Sequence, residues 1–209
     1  MRLLSFLFFT CLLSSNLSAQ IGHGGEPFDW AAKSKYETDA EKIAVPSLES
    51  YRAEDEINDR LNGVPYRYGV NIEVDFDIYN SGKWIDTPDG DRVWRLGLKL
   101  EGARSINFVF DEFDISEGGK VFVYTPDKSI LLGSFTTENR SQFGSLGVGL
   151  VHSEEILIEY HEPATEIGEG YLHINNVTYG YRDVLGGLSN EAKGAFGNSG
   201  ACNINVNCP

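Results

Sequence analysis

The segment from Gly69 to Tyr79 restricts the fold more than any other part of the sequence. Apolar and polar residues alternate along it, with Val70, Ile72, Val74, Phe76 and Ile78 at the apolar positions. Successive side chains of a β-strand point to opposite faces of the sheet, so this period of two predicts a strand with one buried and one solvated face.

Further short apolar runs follow, separated by turn sequences such as Thr87-Pro88-Asp89-Gly90. The aromatic fraction of 12% and the 23 glycines are typical of a chain built from strands and turns. We therefore predict a mainly β protein with an antiparallel β-sandwich at 64–183. Its candidate strands, besides the first, lie at 84–85, 92–100, 105–110, 120–125, 130–135, 146–152, 155–161 and 170–181.

An irregular, partly helical arm is predicted ahead of the sandwich, at 20–63. Glycines and prolines interrupt this segment, and alanines and charged residues permit two short helices at 31–44 and 52–61. Neither helix has a strong apolar face. We expect the arm to pack on the sandwich that follows it.

The first nineteen residues, 1–19, have the layout of a secretory signal peptide. Arg2 precedes an apolar run from Leu3 to Leu13, which is too short to span a bilayer, and small polar residues follow. We expect cleavage between Ala19 and Gln20, export to the periplasm or the extracellular medium, and no membrane anchor.

The charge balance excludes one class of partner. The sequence has 31 acidic and 17 basic residues, for a formal charge of −14. A surface of this sign repels nucleic-acid phosphates, so we expect no nucleic-acid partner. The acidic residues are dispersed along the chain, which is typical of a solvated surface.

Ser199 is the one serine whose setting suggests a nucleophile, in Gly197-Asn198-Ser199-Gly200. Serine catalysis needs a histidine base and an acid that orients it. The four histidines show no pattern typical of a triad, and a glycine-rich segment cannot hold a serine rigidly. We expect no catalytic residue among these 209 residues. The histidines are His23, His152, His161 and His173.

The remaining motifs allow structural interpretations. Asp86, Asp89 and Asp91 lie in a turn, and their spacing is far from that of a calcium loop. No two histidines have a zinc-ligand spacing, so we expect no metal and no cofactor. Trp84 and Tyr124 are compatible with a sugar-binding face or with core packing. Asn176 begins an Asn-x-Thr glycosylation motif.

The end of the sequence carries a specific resemblance. Residues 199–209 read SGACNINVNCP, which resembles the start of the mature enzyme in secreted bacterial lysyl endopeptidases and their trypsin-like relatives. The upstream segments VPYRYG at 64–69, the run at 82–127 and GYRD at 180–183 resemble the propeptide of these precursors, in order and spacing.

The resemblance implies a precursor whose protease domain lies mostly beyond Pro209, together with its catalytic histidine, aspartate and serine. Cys202 and Cys208 would then form disulfides with cysteines further along the protease. The downstream protease domain is the implied partner. The implied organisation is a signal peptide at 1–19, a propeptide arm at 20–63, a β-sandwich propeptide domain at 64–183, a processing linker at 184–197 and the start of a truncated protease domain at 198–209.

Lys193 suggests how such a precursor is processed. It is a lone lysine in the predicted linker, so a lysine-specific protease can cut its own precursor between Lys193 and Gly194. A cut nearer Gly197 by another protease is the alternative. A secreted β-sandwich binding module for carbohydrate or another surface ligand, without catalysis, is the alternative function.

Overall fold

The computed structural model describes residues 22–31, 39–61 and 63–184. In this part of the chain the protein is mainly β, as the sequence predicts, with two sheets, one α-helix and two short 3-10 helices. The strands are β1 (Glu41–Lys42), β2 (Gly69–Asp77), β3 (Lys83–Asp86), β4 (Arg92–Lys99), β5 (Ser105–Phe110), β6 (Glu112–Asp114), β7 (Lys120–Tyr124), β8 (Leu131–Phe135), β9 (Leu146–Gly147), β10 (Glu155–Glu162) and β11 (Tyr171–Gly180). The helix α1 spans Glu49–Asn58, and the 3-10 helices span Thr137–Asn139 and Ala164–Glu166.

The first sheet, sheet A, has the strand order β1-β4-β10-β7-β8, and β3 also pairs with β4. Strand β1 runs parallel to β4 and the other pairs are antiparallel. The long β4–β10 ladder runs from the Arg92–Glu162 pair to the Lys99–Glu155 pair. Because β1 comes from the segment ahead of the sandwich, residues before 64 are part of this sheet.

The second sheet, sheet B, has the strand order β2-β11-β5-β9, and β6 also pairs with β11. Strand β11 is central: it pairs with β2 along nearly its whole length and with β5 and β6 on its other edge. Most of the buried apolar residues of the two sheets form one core cluster, which packs the sheets as a sandwich. Its largest fully buried members are Trp94, Tyr160, Phe108, Phe110 and Phe113.

Several elements differ from the prediction, and the structure adds β6 (Glu112–Asp114), which no candidate strand covers. The strand predicted at 146–152 covers only Leu146–Gly147, with Val151 forming an isolated bridge to Ile106. The helix predicted at 52–61 begins earlier, at Glu49. In the segment at 31–44, residues 32–38 lie outside the described part, and Glu41–Lys42 form β1 because they pair with Leu98 and Lys99.

The arm packs on the sandwich through two described segments. Near the helix, Ile43, Val45, Leu48 and Tyr51 contact the main core. Further upstream, Trp30 lies on a smaller cluster formed by Phe122, Tyr124 and Leu157 on the outer face of sheet A. Within the described residues, no helix combines the length and apolar composition needed to cross a bilayer.

Candidate functional site

The predicted site residues lie outside the described part of the chain. These are Ala19 and Gln20 of the signal cleavage, Lys193 and Gly194 of the processing site, and the cysteines Cys202 and Cys208; Ser199 lies there too. The last described residue is Val184, the first residue of the predicted linker. The structure does describe the residues that lead from the end of β11 into the predicted linker. These residues, 181–184, are here called the chain exit.

Helix α1 provides one side of the chain exit. Tyr51, Asp55 and Asp59 follow one another at intervals of four residues, so their side chains lie on one face of the helix and at its end. Asp55 is buried, with 5% of its surface exposed. A buried carboxylate needs charged or hydrogen-bonding partners, and the chain exit supplies them.

Asp55 is the centre of a polar cluster. The buried hydroxyl of Tyr181 donates a hydrogen bond to Asp55 Oδ2. The guanidinium nitrogens of Arg182 and Arg67 lie 3.3 Å and 3.7 Å from the Asp55 carboxylate. Arg182 also forms an ion pair with Asp59 through both terminal nitrogens. These five residues, Asp55, Asp59, Arg67, Tyr181 and Arg182, are called the exit clamp.

The connection before β2 completes the clamp. The Arg182 guanidinium lies 3.9 Å from the centroid of the Tyr66 ring, a distance at which a cation is attracted to an aromatic face. The Tyr66 hydroxyl donates to the carbonyl of Asp183 at 3.4 Å. Arg67 Nη2 donates to Glu54 Oε2 at 2.8 Å. The start of β2, the end of β11 and the helix are thus held together at one place.

Backbone hydrogen bonds fix the same junction. The amides of Tyr181 and Arg182 both donate to the carbonyl of Tyr68, at 3.1 Å and 3.0 Å. Burial and the Asp55 carboxylate raise the pKa of Tyr181 to about 12. Burial acts to lower the pKa of Arg182, but its hydrogen bond with Asp59 outweighs this and raises the pKa. The donors of the clamp therefore keep their protons at neutral pH.

An open depression of about 460 Å³ lies beside the clamp. Arginines and carboxylates line it in comparable number, so it has no strong preference for an anion or a cation. Its lining residues are Arg52, Asp55, Glu56, Asp59, Arg104, Tyr181 and Arg182.

The sequence alone indicates no site role for the residues of the exit clamp, although two of its segments carry the resemblance described above. Residues 64–69 and 180–183 are the short segments that resemble protease propeptides, and they contribute Arg67, Tyr181 and Arg182. For Asp55 and Asp59, the one sequence feature that links them is their four-residue spacing, which puts both on the same face of a helix. The helix and the chain exit are joined by contacts of Asp55 with Tyr181 and Arg182. These residues are far apart in the sequence, so their spacing does not reveal the contact.

A second buried polar cluster lies under the arm, on the outer face of sheet A. Glu159 is fully buried and accepts hydrogen bonds from Arg95 Nε and Nη2, at 2.9 Å and 2.6 Å, and from the Tyr124 hydroxyl at 2.7 Å. The Phe28 amide of the arm also donates to it. Burial acts to raise the pKa of Glu159, but the hydrogen bond with His161 and the charge of Arg95 hold that pKa below its ordinary value.

The other histidines with a polar partner also face carboxylates. His173 lies between Asp111 Oδ1, 2.9 Å from its Nδ1, and Asp75 Oδ1, 2.9 Å from its Nε2. Burial acts to lower the pKa of His173, and the bonds to the two aspartates raise it above its ordinary value. His23 lies 3.6 Å from Glu138. In the described residues, these histidines have carboxylate partners rather than the serine that a triad needs.

The remaining candidates have structural surroundings. Asp91 Oδ1 accepts the Ala164 amide at 2.9 Å, which ties the turn at 86–91 to the start of the 3-10 helix Ala164–Glu166. No group of three or more metal-binding side chains is assembled within the described ranges. Tyr124 is fully buried, and Trp84 packs between Tyr160 and the Arg92 guanidinium, so neither offers a free sugar-binding face.

Comparisons with known proteins assign no family. The sequence matches no protein-family model, and no solved structure matches the fold.

Proposed function

We propose that this chain is the secreted pro-region of a serine endopeptidase of the lysyl endopeptidase kind. In this proposal the sandwich inhibits the protease domain and assists its folding until the connection between them is cut after Lys193. The signal-peptide layout at 1–19 and the resemblance of residues 199–209 to the start of a mature protease support it.

One structural observation carries the proposal. The described sandwich is complete at Gly180, and its last strand is anchored by Tyr181 and Arg182, ahead of the predicted linker. A cut between Lys193 and Gly194 therefore breaks none of the described hydrogen bonds or ion pairs. A pro-region needs this property, because it must stay folded and inhibitory until a single cleavage separates it from the enzyme.

The exit clamp gives the tether a fixed starting point. A partner joined to the domain through a short linker experiences a high effective concentration, in the millimolar range for short flexible linkers. Cutting the tether removes that advantage, so a surface that binds the protease with moderate affinity inhibits strongly before cleavage and weakly after it. Inhibition that ends with processing follows from this change alone.

Two experiments test the proposal. The codons that follow Pro209 should encode a His-Cys pair and then a Gly-Asp-Ser-Gly-Gly-like segment. The chain as secreted, added to the mature protease encoded there, should inhibit hydrolysis of a lysyl substrate, and an unrelated serine protease serves as the control. A gene that lacks those segments, or a mature protease that stays fully active at micromolar concentrations of the chain, would overturn the proposal.

A further inference from the structure

The exposed apolar residues are unevenly distributed over the described surface. Of the nine large hydrophobic side chains that are exposed, five lie on the end of α1, on the connection to β2, or at the chain exit. They form what is here called the exit patch: Ile57, Leu61, Val64, Tyr66 and Val184. The other four, Tyr79, Val109, Phe143 and Ile167, lie singly on separate segments of the chain.

The three segments that carry the exit patch are the segments that the clamp joins. Arg182 pairs with Asp59 of the helix end and stacks on Tyr66. Tyr66 bonds the carbonyl of Asp183, the residue before Val184. The segments that carry the exposed apolar side chains are therefore held together by polar contacts of the clamp.

Exposure of this kind indicates an interaction surface. Single exposed hydrophobic residues are normal, but several gathered within a rim of charged residues mark a place where another protein surface is buried. Ile57 and Leu61 are 63% and 52% exposed, so they contribute little to the sandwich itself. Charged groups of the depression beside the clamp, among them Arg104 and Glu56, supply the polar rim.

The position of the patch indicates its occupant. The chain leaves the described part through Val184, inside the patch, and residue 198 is where the proposed protease domain begins. When they are fully extended, the intervening residues 185–197 place residue 198 at most about 50 Å from Val184. Whatever begins at residue 198 therefore starts within that distance of the patch, and a tethered partner covers the nearest exposed apolar surface at low cost in translational entropy.

We infer that the exit patch is the surface on which the protease domain docks. This inference rests on the proposed function and adds to it the side of the sandwich that the protease covers. Most of the binding free energy of an interface comes from a few buried side chains surrounded by a polar rim. Here those side chains are the apolar residues of the helix end and of the connection to β2.

The test compares two variants of the chain as secreted, each with exposed apolar residues replaced. The first is the triple variant Ile57→Ser, Leu61→Ser, Val64→Ser within the patch. The matched control is the double variant Phe143→Ser, Ile167→Ser, which replaces residues that are 82% and 48% exposed elsewhere. The inhibition constant of each against the protease encoded after Pro209 is measured, and thermal unfolding of each verifies the fold.

The patch variant should raise the inhibition constant at least about tenfold, the effect expected from removing interface side chains that together contribute more than about 1.4 kcal/mol. The control variant should stay within about twofold of the unaltered chain. If the unaltered chain inhibits and the patch variant inhibits equally well, or if both variants lose inhibition equally, the docking inference is overturned and the proposed function stands. If the unaltered chain does not inhibit, both are overturned.

Discussion

Replacement of Asp55 by alanine tests whether the exit clamp holds the end of the sandwich. Asp55 is the acceptor for the buried hydroxyl of Tyr181 and the shared counterion of Arg67 and Arg182. Tyr181 is only 7% exposed, so water cannot fully replace the lost acceptor. The change removes contacts between α1 and the chain exit, and it replaces none of the apolar side chains of the main core.

The expected loss follows from these contacts. A buried donor left without an acceptor costs about 1–3 kcal/mol. The pair with Arg182 is partly exposed and keeps Asp59 as a second partner, so it adds less than about 1 kcal/mol. We expect Asp55→Ala to lower the free energy of unfolding by about 2–3 kcal/mol, and Tyr181→Phe by about 1 kcal/mol. In a domain of this size the former corresponds to a fall of about 5–10 °C in Tm.

Urea and thermal unfolding, followed by circular dichroism and tryptophan fluorescence, measure the loss. Asp39→Ala is the matched control, because it removes a carboxylate that pairs with Lys83 where both side chains are largely exposed. The control should leave the unfolding midpoint unchanged. If Asp55→Ala unfolds at the midpoint of the unaltered chain, the clamp does not stabilise the chain exit and the reasoning from burial is refuted.

Three further predictions concern other parts of the molecule. Glu159→Ala should lower the free energy of unfolding by about 3–5 kcal/mol, because it removes the buried carboxylate that pairs with the Arg95 guanidinium. The double variant Arg95→Met, Glu159→Leu should be more stable than the single variant in urea unfolding, and a double variant that is no more stable would contradict this. The fold raises the pKa of His173, so the stability that its protonated ring adds is present below about pH 6.5 and is lost as the pH rises through the raised pKa. The difference in unfolding free energy between the unaltered chain and His173→Gln should therefore shrink between pH 6 and 9. A constant difference would contradict a raised pKa for His173. Gly170→Ala should unfold at lower temperature, since its Cβ would lie 2.1 Å from the Tyr160 hydroxyl, and an unchanged Tm would contradict the close contact.

Local periodicity was sufficient to predict much of the fold. The alternation at 69–79 predicted β2 because a strand face repeats every two residues, whatever the rest of the chain does. The run at 92–100 likewise predicted β4, whose Trp94 and Leu96 lie in the core. The order of strands in each sheet was beyond prediction, because it depends on pairings between distant segments, such as β1 beside β4.

The buried polar clusters show why the rest could not be predicted. Alternation along β4 puts Arg95 on the face opposite Trp94 and Leu96, which in isolation indicates a solvent-exposed position. The structure covers that face with Phe28 and Trp30 of the arm, and Glu159 on β10 supplies the counterion. The arm has no periodic signal of its own, so nothing in the local sequence indicates that it covers a charged residue.

The proposed cut after Lys193 gives the most direct test of the proposed function. The mature enzyme should be collected from the medium of cells that express the whole gene, and its first residues sequenced. We predict a start at Gly194, and we predict that Lys193→Gln prevents release. Lys193→Arg distinguishes a lysine-specific protease, which processes it poorly, from a trypsin-like one, which processes it normally. A mature start upstream of residue 190, or unchanged processing of Lys193→Gln, would contradict cleavage at Lys193.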